Sequence, residues 1–286
     1  MHLSLTIADC LKKSSQLADV SDSPRLDIEI LLGHILKKNR TYLFTWPEQE
    51  LTAEQTKTFN EFLSRRLTGE PVAHIIGQRE FWSLPLMVNN STLIPRPDTE
   101  LLVEAVLGLF MDDERSQSRR LLDLGTGSGA IVLALAHEKK SWQCIGVDKE
   151  LAAVELAEKN RAHLELHNVE IQQSDWFSAI ETEKPFDIIV SNPPYIDPND
   201  EHLKEGDVRF EPLSALIADN HGLADLEFIT THARQYLTEN GWLLVEHGYD
   251  QGSAVRDLFT MNNFDQVNTL RDFGGNERVT LGRKLP

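Results

Sequence analysis

The chain has 286 residues, 41% of them hydrophobic, with 45 Asp and Glu against 28 Lys and Arg for a formal charge of −17. That length suits about two domains, and the apolar content excludes wholesale disorder. The acidic balance weighs against a nucleic-acid partner, whose affinity comes mainly from Lys and Arg contacts to phosphate, and no basic run exceeds two residues.

Cys10 and Cys144 stand far apart without a CxxC partner, so neither a disulfide framework nor a zinc site is expected. His163 and His167 share an i,i+4 spacing but lack a following Glu or a third ligand, so no metal is expected. Met1 to Ser15 holds no long apolar run, and no stretch approaches the roughly 20 apolar residues of a membrane span. The expectation is a cytoplasmic protein with no membrane partner.

Residues 1–75 read as a bundle of short helices. Ser23-Pro24 is a helix start, followed by Ile28, Leu31, Leu32 and Ile35 on one face. Thr52 and Gln55 fit a capping box ahead of the stripe Phe59, Phe62, Leu63 and Leu67, and Gly69 and Pro71 stop that helix. Residues 76–97 read as an extended linker, with Phe81 to Val88 β-prone and broken by Pro85, as in a hairpin or edge ribbon. Residues 98–286 then form the main domain. Leu101, Leu102, Ala105, Val106 and Leu109 make an apolar helix, and a polar loop spans Asp112 to Arg120.

From residue 120, strands alternate with helices near 129–138, 149–163, 222–237 and 251–261. The expected strands are Arg120–Leu124, Gln143–Val147, Val169–Gln173, Asp187–Ser191, Trp242–Glu246, Gln266–Leu270 and Arg278–Leu281. Such alternation predicts an α/β doubly wound, mainly parallel sheet. Only Asp272 to Glu277 separates the last two strands. A parallel crossover needs a dozen or more residues, so this pair is expected to be antiparallel.

Asp123-Leu124-Gly125-Thr126-Gly127-Ser128-Gly129-Ala130 lies where the first strand of the sheet turns into a helix. Glycines admit a ligand close to the backbone, and the helix start offers free N–H groups. They suit a dinucleotide pyrophosphate or the carboxylate of S-adenosylmethionine equally, because Gly125, Gly127 and Ala130 also satisfy the dinucleotide fingerprint. Asp148 closes the second strand, where a carboxylate accepts from both ribose hydroxyls. After the third strand, Asp175 suits an adenine amino group and Trp176 can cover the ring. An adenosine ligand is indicated, its reactive end undecided.

Phe186 to Ser191 is a continuous apolar run, the pattern of a central parallel strand, and it delivers Asn192-Pro193-Pro194-Tyr195 to the carboxyl edge of the sheet. The prolines stiffen the loop. A planar NH2 group brings two donors: the Asn192 side-chain oxygen and the Pro193 carbonyl supply two acceptors, while Tyr195 can pack on the flat face. Asn192, Pro193 and Tyr195 are thus the catalytic candidates, with Pro194 beside them in the substrate site. Positioning is the main contribution such a site makes, and no general base is evident. The activity read here is methyl transfer from S-adenosylmethionine to an amide or exocyclic amine, leaving S-adenosylhomocysteine.

Nearly the whole chain resembles the release-factor glutamine methyltransferases, the PrmC/HemK family. Gly69-Glu70-Pro71, Arg79-Glu80-Phe81-Trp82, Leu93 to Glu100, Asp123 to Gly127, Ser191 to Ile196, Gly206 to Leu213 and Asn276 to Gly282 carry the resemblance. The Asn-Pro-Pro-Tyr run by itself is shared with N6-adenine DNA methyltransferases; the flanking blocks are not. The resemblance implies a class I methyltransferase fold with a terminal antiparallel hairpin and a helical N-terminal domain that helps engage a protein substrate. It implies N5-methylation of the Gly-Gly-Gln glutamine of class 1 peptide chain release factors. Gly125, Thr126, Gly127, Ser128, Gly129, Asp148, Trp176 and Asn192 would then hold S-adenosylmethionine, and Asn192 to Tyr195 the glutamine. The expected enzyme is a monomer that binds no nucleic acid. The rivals are an N6-adenine methyltransferase on DNA or RNA, which would need a cationic groove to offset base flipping, and a non-catalytic S-adenosylmethionine or dinucleotide module.

Overall fold

The computed structural model describes residues 5–111 and 117–285. The expected polar loop at 112–120 falls partly outside them. The chain divides into two compact units, one of residues 1–78 with 201–210, the other of residues 79–200 with 211–286.

The first unit is helical: α1 (Ile7–Lys12), α2 (Pro24–Leu36), α3 (Arg40–Thr45), α4 (Ala53–Leu67) and α5 (Val72–Ile76). Its core gathers Ile7, Cys10, Leu17, Ile28, Leu32, Leu43, Phe59 and Leu63. The Thr52–Gln55 capping box forms, with Gln55 N donating to Thr52 Oγ1 at 3.2 Å. Ser23 caps α2 by position only; its hydroxyl turns instead to Asp27 Oδ1 at 3.3 Å. Asp27 is occupied by Arg66, whose Nε donates to Asp27 Oδ2 at 2.6 Å in a buried pair. The same guanidinium donates to the Gly69 and Glu70 carbonyls at 3.0 and 3.1 Å, so it holds the corner after α4.

The segment 201–210 was read as part of the main domain, but it clusters with this helical unit. Asp207 Oδ1 lies 3.6 Å from Arg66 Nη1, and a side chain at Gly69, where φ is +91, would run into the Arg209 guanidinium. Two sequence blocks more than a hundred residues apart, at 69–71 and 206–210, are therefore one structural feature.

The second unit opens with the hairpin β1 (Gln78–Phe81) and β2 (Leu84–Met87). Its two-residue turn, Trp82 and Ser83, has φ of 52 and 60, the signature of a type I′ turn. This segment is no free linker. Trp82 N donates to Glu100 Oε1 at 2.9 Å and its Nε1 to Glu138 Oε1 at 2.8 Å. The buried Asn160 side chain accepts from Met87 N at 2.7 Å and donates to Met87 O at 3.0 Å.

Next come α6 (Glu100–Leu109), β3 (Arg120–Leu124), α7 (Ala130–Glu138), β4 (Gln143–Asp148), α8 (Leu151–His163), β5 (Val169–Gln173) and β6 (Phe186–Ser191). The short turn α9 (Asp219–Gly222), α10 (Ala224–His232), β7 (Leu237–Glu246), α11 (Gly252–Met261), β8 (Phe264–Arg271) and β9 (Glu277–Lys284) complete the unit. The seven-stranded sheet runs β5-β4-β3-β6-β7-β9-β8, parallel from β5 to β7, with β9 antiparallel to both neighbours. This is the expected sheet with its closing hairpin. Strand alternation sends Leu121, Ile188, Val190 and Leu244 to one face, where α6 and α7 pack. It sends Leu122, Leu124, Ile189, Leu243 and Val245 to the other, under α10 and α11. Both faces are covered, which is why the central strands read as unbroken apolar runs. The helix expected over 222–237 is shorter, giving way to a single 3₁₀ turn at Ala233–Gln235 before β7 begins at Leu237.

Candidate active site

At the carboxyl end of β3 the chain turns through Gly125 to Gly129, three glycines at φ of 68, 55 and 86, into α7. The turn is pinned from several sides. Thr126 N donates to Val147 O at 2.8 Å, and Thr126 Oγ1 donates to Asp123 Oδ2 at 2.6 Å. Asn160 Nδ2 donates to Ser128 O at 2.9 Å, so the residue that secures β2 also secures the glycine turn. Asp148, at the end of β4, accepts from Gly127 N at 2.9 Å through Oδ2 and from Glu150 N at 3.0 Å through Oδ1. Burial raises its pKa, the two backbone N–H groups opposing that rise. Asp123 is fully buried, its Oδ1 without a hydrogen-bond partner among the described residues, and desolvation pushes its carboxyl up to about 7.

Above this turn lies a cleft of about 280 Å³, the size of a small-molecule site. Of the expected ligand-binding residues, Gly125, Thr126, Gly127, Ser128, Asp148, Trp176, Asn192 and Pro194 line it. Gly129 does not. A Cβ there would sit 2.9 Å from Leu133 Cδ1 and 3.3 Å from the Ala157 Cβ, so the close packing of α7 and α8 requires a glycine at this position. Pro193 and Tyr195 are also absent from the walls. The cleft carries four carboxylates, Asp148, Glu150, Asp175 and Asp225, against the cations Lys149 and Arg96. Asp175 is paired with Lys149, Oδ2 to Nζ at 3.1 Å. The Thr92 hydroxyl, buried on the cleft wall, has no hydrogen-bond partner among the described residues.

β6 lies beside β3, and Ser191 Oγ donates to Leu124 O at 2.8 Å, which fixes the corner that follows against the glycine turn. Asn192 Nδ2 donates to Thr99 Oγ1 at 3.3 Å. The partly buried Tyr195 ring packs against the core cluster, and its hydroxyl donates to Glu246 Oε1 at 3.3 Å. Burial drives the Tyr195 pKa up. Its carbonyl accepts from Gln251 Nε2 at 3.0 Å. Ile196 bridges to Ile217, with Ile196 N donating to Leu216 O at 2.9 Å. Gly222, at φ +80, lets the chain pass against Tyr195, whose carbonyl a Cβ would overlap. Arg96 is clamped by Glu211, Nη2 reaching both carboxylate oxygens at 2.7 and 2.8 Å. Glu211 is buried and anchors the strap that brings Ser214 and Ala215 to the cleft.

Sequence reasoning missed Thr99, Glu246, Gln251 and the Arg96–Glu211 clamp. Thr99 and Glu246 stand 93 and 51 residues from the partners they meet, Asn192 and Tyr195. The blocks around 93–100 and 206–213 did mark the Arg96 and Glu211 neighbourhoods, but no spacing paired them.

A mainly parallel sheet that closes on a reversed strand, with a glycine turn after β3 and an Asn-Pro-Pro-Tyr corner after β6, defines a class I methyltransferase. Residues 115–280 match a methyltransferase domain profile, and residues 11–77 match the PrmC N-terminal domain. The chain is 55% identical to a release factor glutamine methyltransferase of Shewanella oneidensis, over 94% of this chain and 92% of that one. It is 51% identical to the protein of the same name in Escherichia coli, over 96% and 97%. The chain belongs to the release factor glutamine methyltransferase family. Among solved structures, a methyltransferase from Pyrococcus furiosus shares the fold at 15% identity and TM-score 0.52, covering 79% of this chain and 100% of that one. A 16S rRNA methyltransferase of T. thermophilus, in complex with AdoMet and guanosine, shares it at 21% identity and TM-score 0.52, covering 72% and 49%.

Proposed function

We propose that this enzyme methylates the side-chain amide nitrogen, N5, of the glutamine in the Gly-Gly-Gln motif of class 1 peptide chain release factors, using S-adenosylmethionine. The helical unit is assigned to gripping the protein substrate. The observation that carries the reading is the direction of the Asn192 amide. Its Nδ2 is turned back to Thr99, which leaves Oδ1 as an acceptor at the edge of a cleft built for an adenosine ligand.

The residues present fit S-adenosylmethionine. The Asp148 carboxylate has lone pairs beyond those engaged by Gly127 and Glu150 and would hold the ribose. Gly125 to Ser128 would approach the methionine moiety, and Trp176, beside Gly125, would cover the adenine. The unpartnered Thr92 hydroxyl is a further group free to meet a polar ligand. An acid-rich wall suits a cationic sulfonium and opposes a polyanion, which weighs against the adenine-in-DNA alternative.

Bound S-adenosylmethionine supplies an electrophilic methyl group on a sulfonium sulfur that departs as a neutral thioether. Asn192 Oδ1 and the Pro193 carbonyl accept the two N–H bonds of the substrate amide. Those bonds would hold the amide nitrogen in one orientation and shift electron density onto a weak nucleophile. Orientation of this kind contributes up to roughly 7–11 kcal/mol of barrier lowering. The surplus proton, strongly acidic on the methylated amide nitrogen, then leaves to water, so no side chain has to act as a base beforehand.

Methyl transfer from labelled S-adenosylmethionine tests the reading, with a purified release factor, the same factor with its motif glutamine changed to glutamate, and duplex DNA. Label on the unmodified factor alone is expected. Label on DNA, or equal label on both factors, overturns the substrate assignment. Asn192→Ala is expected to lower kcat by about 100-fold or more while cofactor affinity changes little.

A further inference from the structure

We propose that the Thr92 hydroxyl is a binding group for the cofactor, donating from the wall of the cleft to the carboxylate at the amino-acid end of S-adenosylmethionine. The inference rests on the proposed use of S-adenosylmethionine and adds a contact that the glycine turn and Asp148 do not supply.

The first ground is an open hydrogen bond. Thr92 is 2% exposed and lines the cleft, and its Oγ1 has no hydrogen-bond partner among the described residues. Three other buried hydroxyls of the site are engaged. Thr126 Oγ1 donates to Asp123 Oδ2, Ser191 Oγ donates to Leu124 O, and Thr99 Oγ1 accepts from Asn192 Nδ2. A hydroxyl buried without a partner forfeits the hydrogen bonds it makes to water in the unfolded chain. A fold tolerates that loss where a ligand completes the bond.

The second ground is position. Thr92 faces the middle of the glycine turn: the first atom a Cβ on Gly127 would meet is the Thr92 Cβ, at 3.9 Å. From there the wall continues through Leu93, Pro95 and Arg96 to Thr99, which is bonded to Asn192. The sulfonium has to lie beside Asn192 for its methyl group to reach the substrate nitrogen, so the chains carried by the sulfur run along this wall. Trp176, beside Gly125, is assigned to the adenine and Asp148 to the ribose. The amino-acid end is what remains for Thr92.

The third ground is the chemistry of that end. Asp148, Glu150, Asp175 and Asp225 on the cleft wall suit the sulfonium and the ammonium. They repel the carboxylate, and ionised they have no hydrogen to offer it. Both cations on the wall are already paired, Lys149 with Asp175 at 3.1 Å and Arg96 with Glu211 at 2.7 Å. The glycine turn directs three of its own N–H groups inward, Thr126 N to Val147 O, Gly127 N to Asp148 Oδ2 and Gly129 N to Thr126 O. Thr92 adds an uncommitted O–H whose hydrogen rotates to meet an acceptor. Shielded from water, a bond from it to a charged oxygen is worth more than the same bond at the surface.

Calorimetry on the full chain tests this with S-adenosylmethionine, S-adenosylhomocysteine and decarboxylated S-adenosylmethionine, which keeps the sulfonium and ammonium but lacks the carboxylate. Thr92→Val removes the hydroxyl at nearly constant volume. It is expected to weaken the first two ligands about 10- to 100-fold, the scale of one hydrogen bond to a charged group, and to leave the decarboxylated one unchanged. Thr92→Ser is expected to bind like wild type and Thr92→Ala like Thr92→Val. Because the hydroxyl makes no bond within the fold, the melting temperature of ligand-free Thr92→Val is expected to equal or exceed that of wild type; a purely structural role would lower it. An equal loss for the decarboxylated ligand, a Ser variant that binds no tighter than the Ala variant, or a lowered ligand-free melting temperature each overturns the inference. A wild-type chain that binds neither S-adenosylmethionine nor S-adenosylhomocysteine overturns the cofactor reading; one that binds them, with Thr92→Val binding equally well, overturns the Thr92 contact alone.

Discussion

Asn160 is the residue whose loss reports most directly on how the fold builds the site. It is fully buried on α8 and makes three hydrogen bonds, accepting from Met87 N at 2.7 Å and donating to the Met87 and Ser128 carbonyls at 3.0 and 2.9 Å. In Asn160→Ala all three vanish, and the backbone groups left behind have no side-chain replacement. Each bond contributes about 0.5–1.5 kcal/mol net, and stranding a buried polar group costs about 1–3 kcal/mol. The expected loss is therefore about 3–4 kcal/mol. For a unit of about 200 residues that lowers the melting temperature by roughly 6–16 °C. Urea unfolding of the full chain, followed by tryptophan fluorescence, measures it. The same variant frees Ser128 in the glycine turn, so affinity for S-adenosylmethionine should fall alongside stability. Asn160→Asp keeps the acceptor for Met87 N, loses both donated bonds and buries a carboxylate, so it should be at least as damaging. An Asn160→Ala protein within about 1 kcal/mol of wild type would refute the reasoning, since it would mean that these bonds are no stronger than those the unfolded chain makes with water.

Asp148→Ala is expected to weaken S-adenosylmethionine binding by about 1.5–3 kcal/mol, and calorimetry showing unchanged affinity would remove Asp148 from the cofactor site. Asp123, raised to about 7 by burial, holds a proton in the folded state that the unfolded chain releases near 4. Its stabilising contribution is fully present below the unfolded pKa and is lost as pH rises through about 7. The melting temperature of Asp123→Asn relative to wild type should accordingly climb between about pH 4 and 7 and level off above it, and a constant difference across that range would count against a shifted Asp123. Gly222→Ala places a Cβ against the Tyr195 carbonyl at a φ of +80. Displacement of the corner is expected to lower kcat by about tenfold or more, and kinetics near wild type would show that the loop relaxes without moving Asn192.

The chain's own local patterns determined a good deal. Alternating apolar runs and helical stripes set the doubly wound sheet, because β and α periodicities are written residue by residue. The stretch from Asp272 to Glu277 was too short for a crossover, so β8 and β9 had to be antiparallel. The glycine turn, Asp148 and the Asn-Pro-Pro-Tyr corner were legible because strand ends in such sheets gather at one edge. The tertiary structure decided what depended on residues far apart. It packed Gly129 against Leu133 and Ala157, and joined the Tyr195 hydroxyl to Glu246. It placed residues 79–87 in the main unit and 201–210 in the helical one, and it set Thr99 beside Asn192. Side-chain hydrogen bonds and close packing are made between whichever groups the finished fold brings within about 3 Å. No periodicity in the chain records which groups those will be.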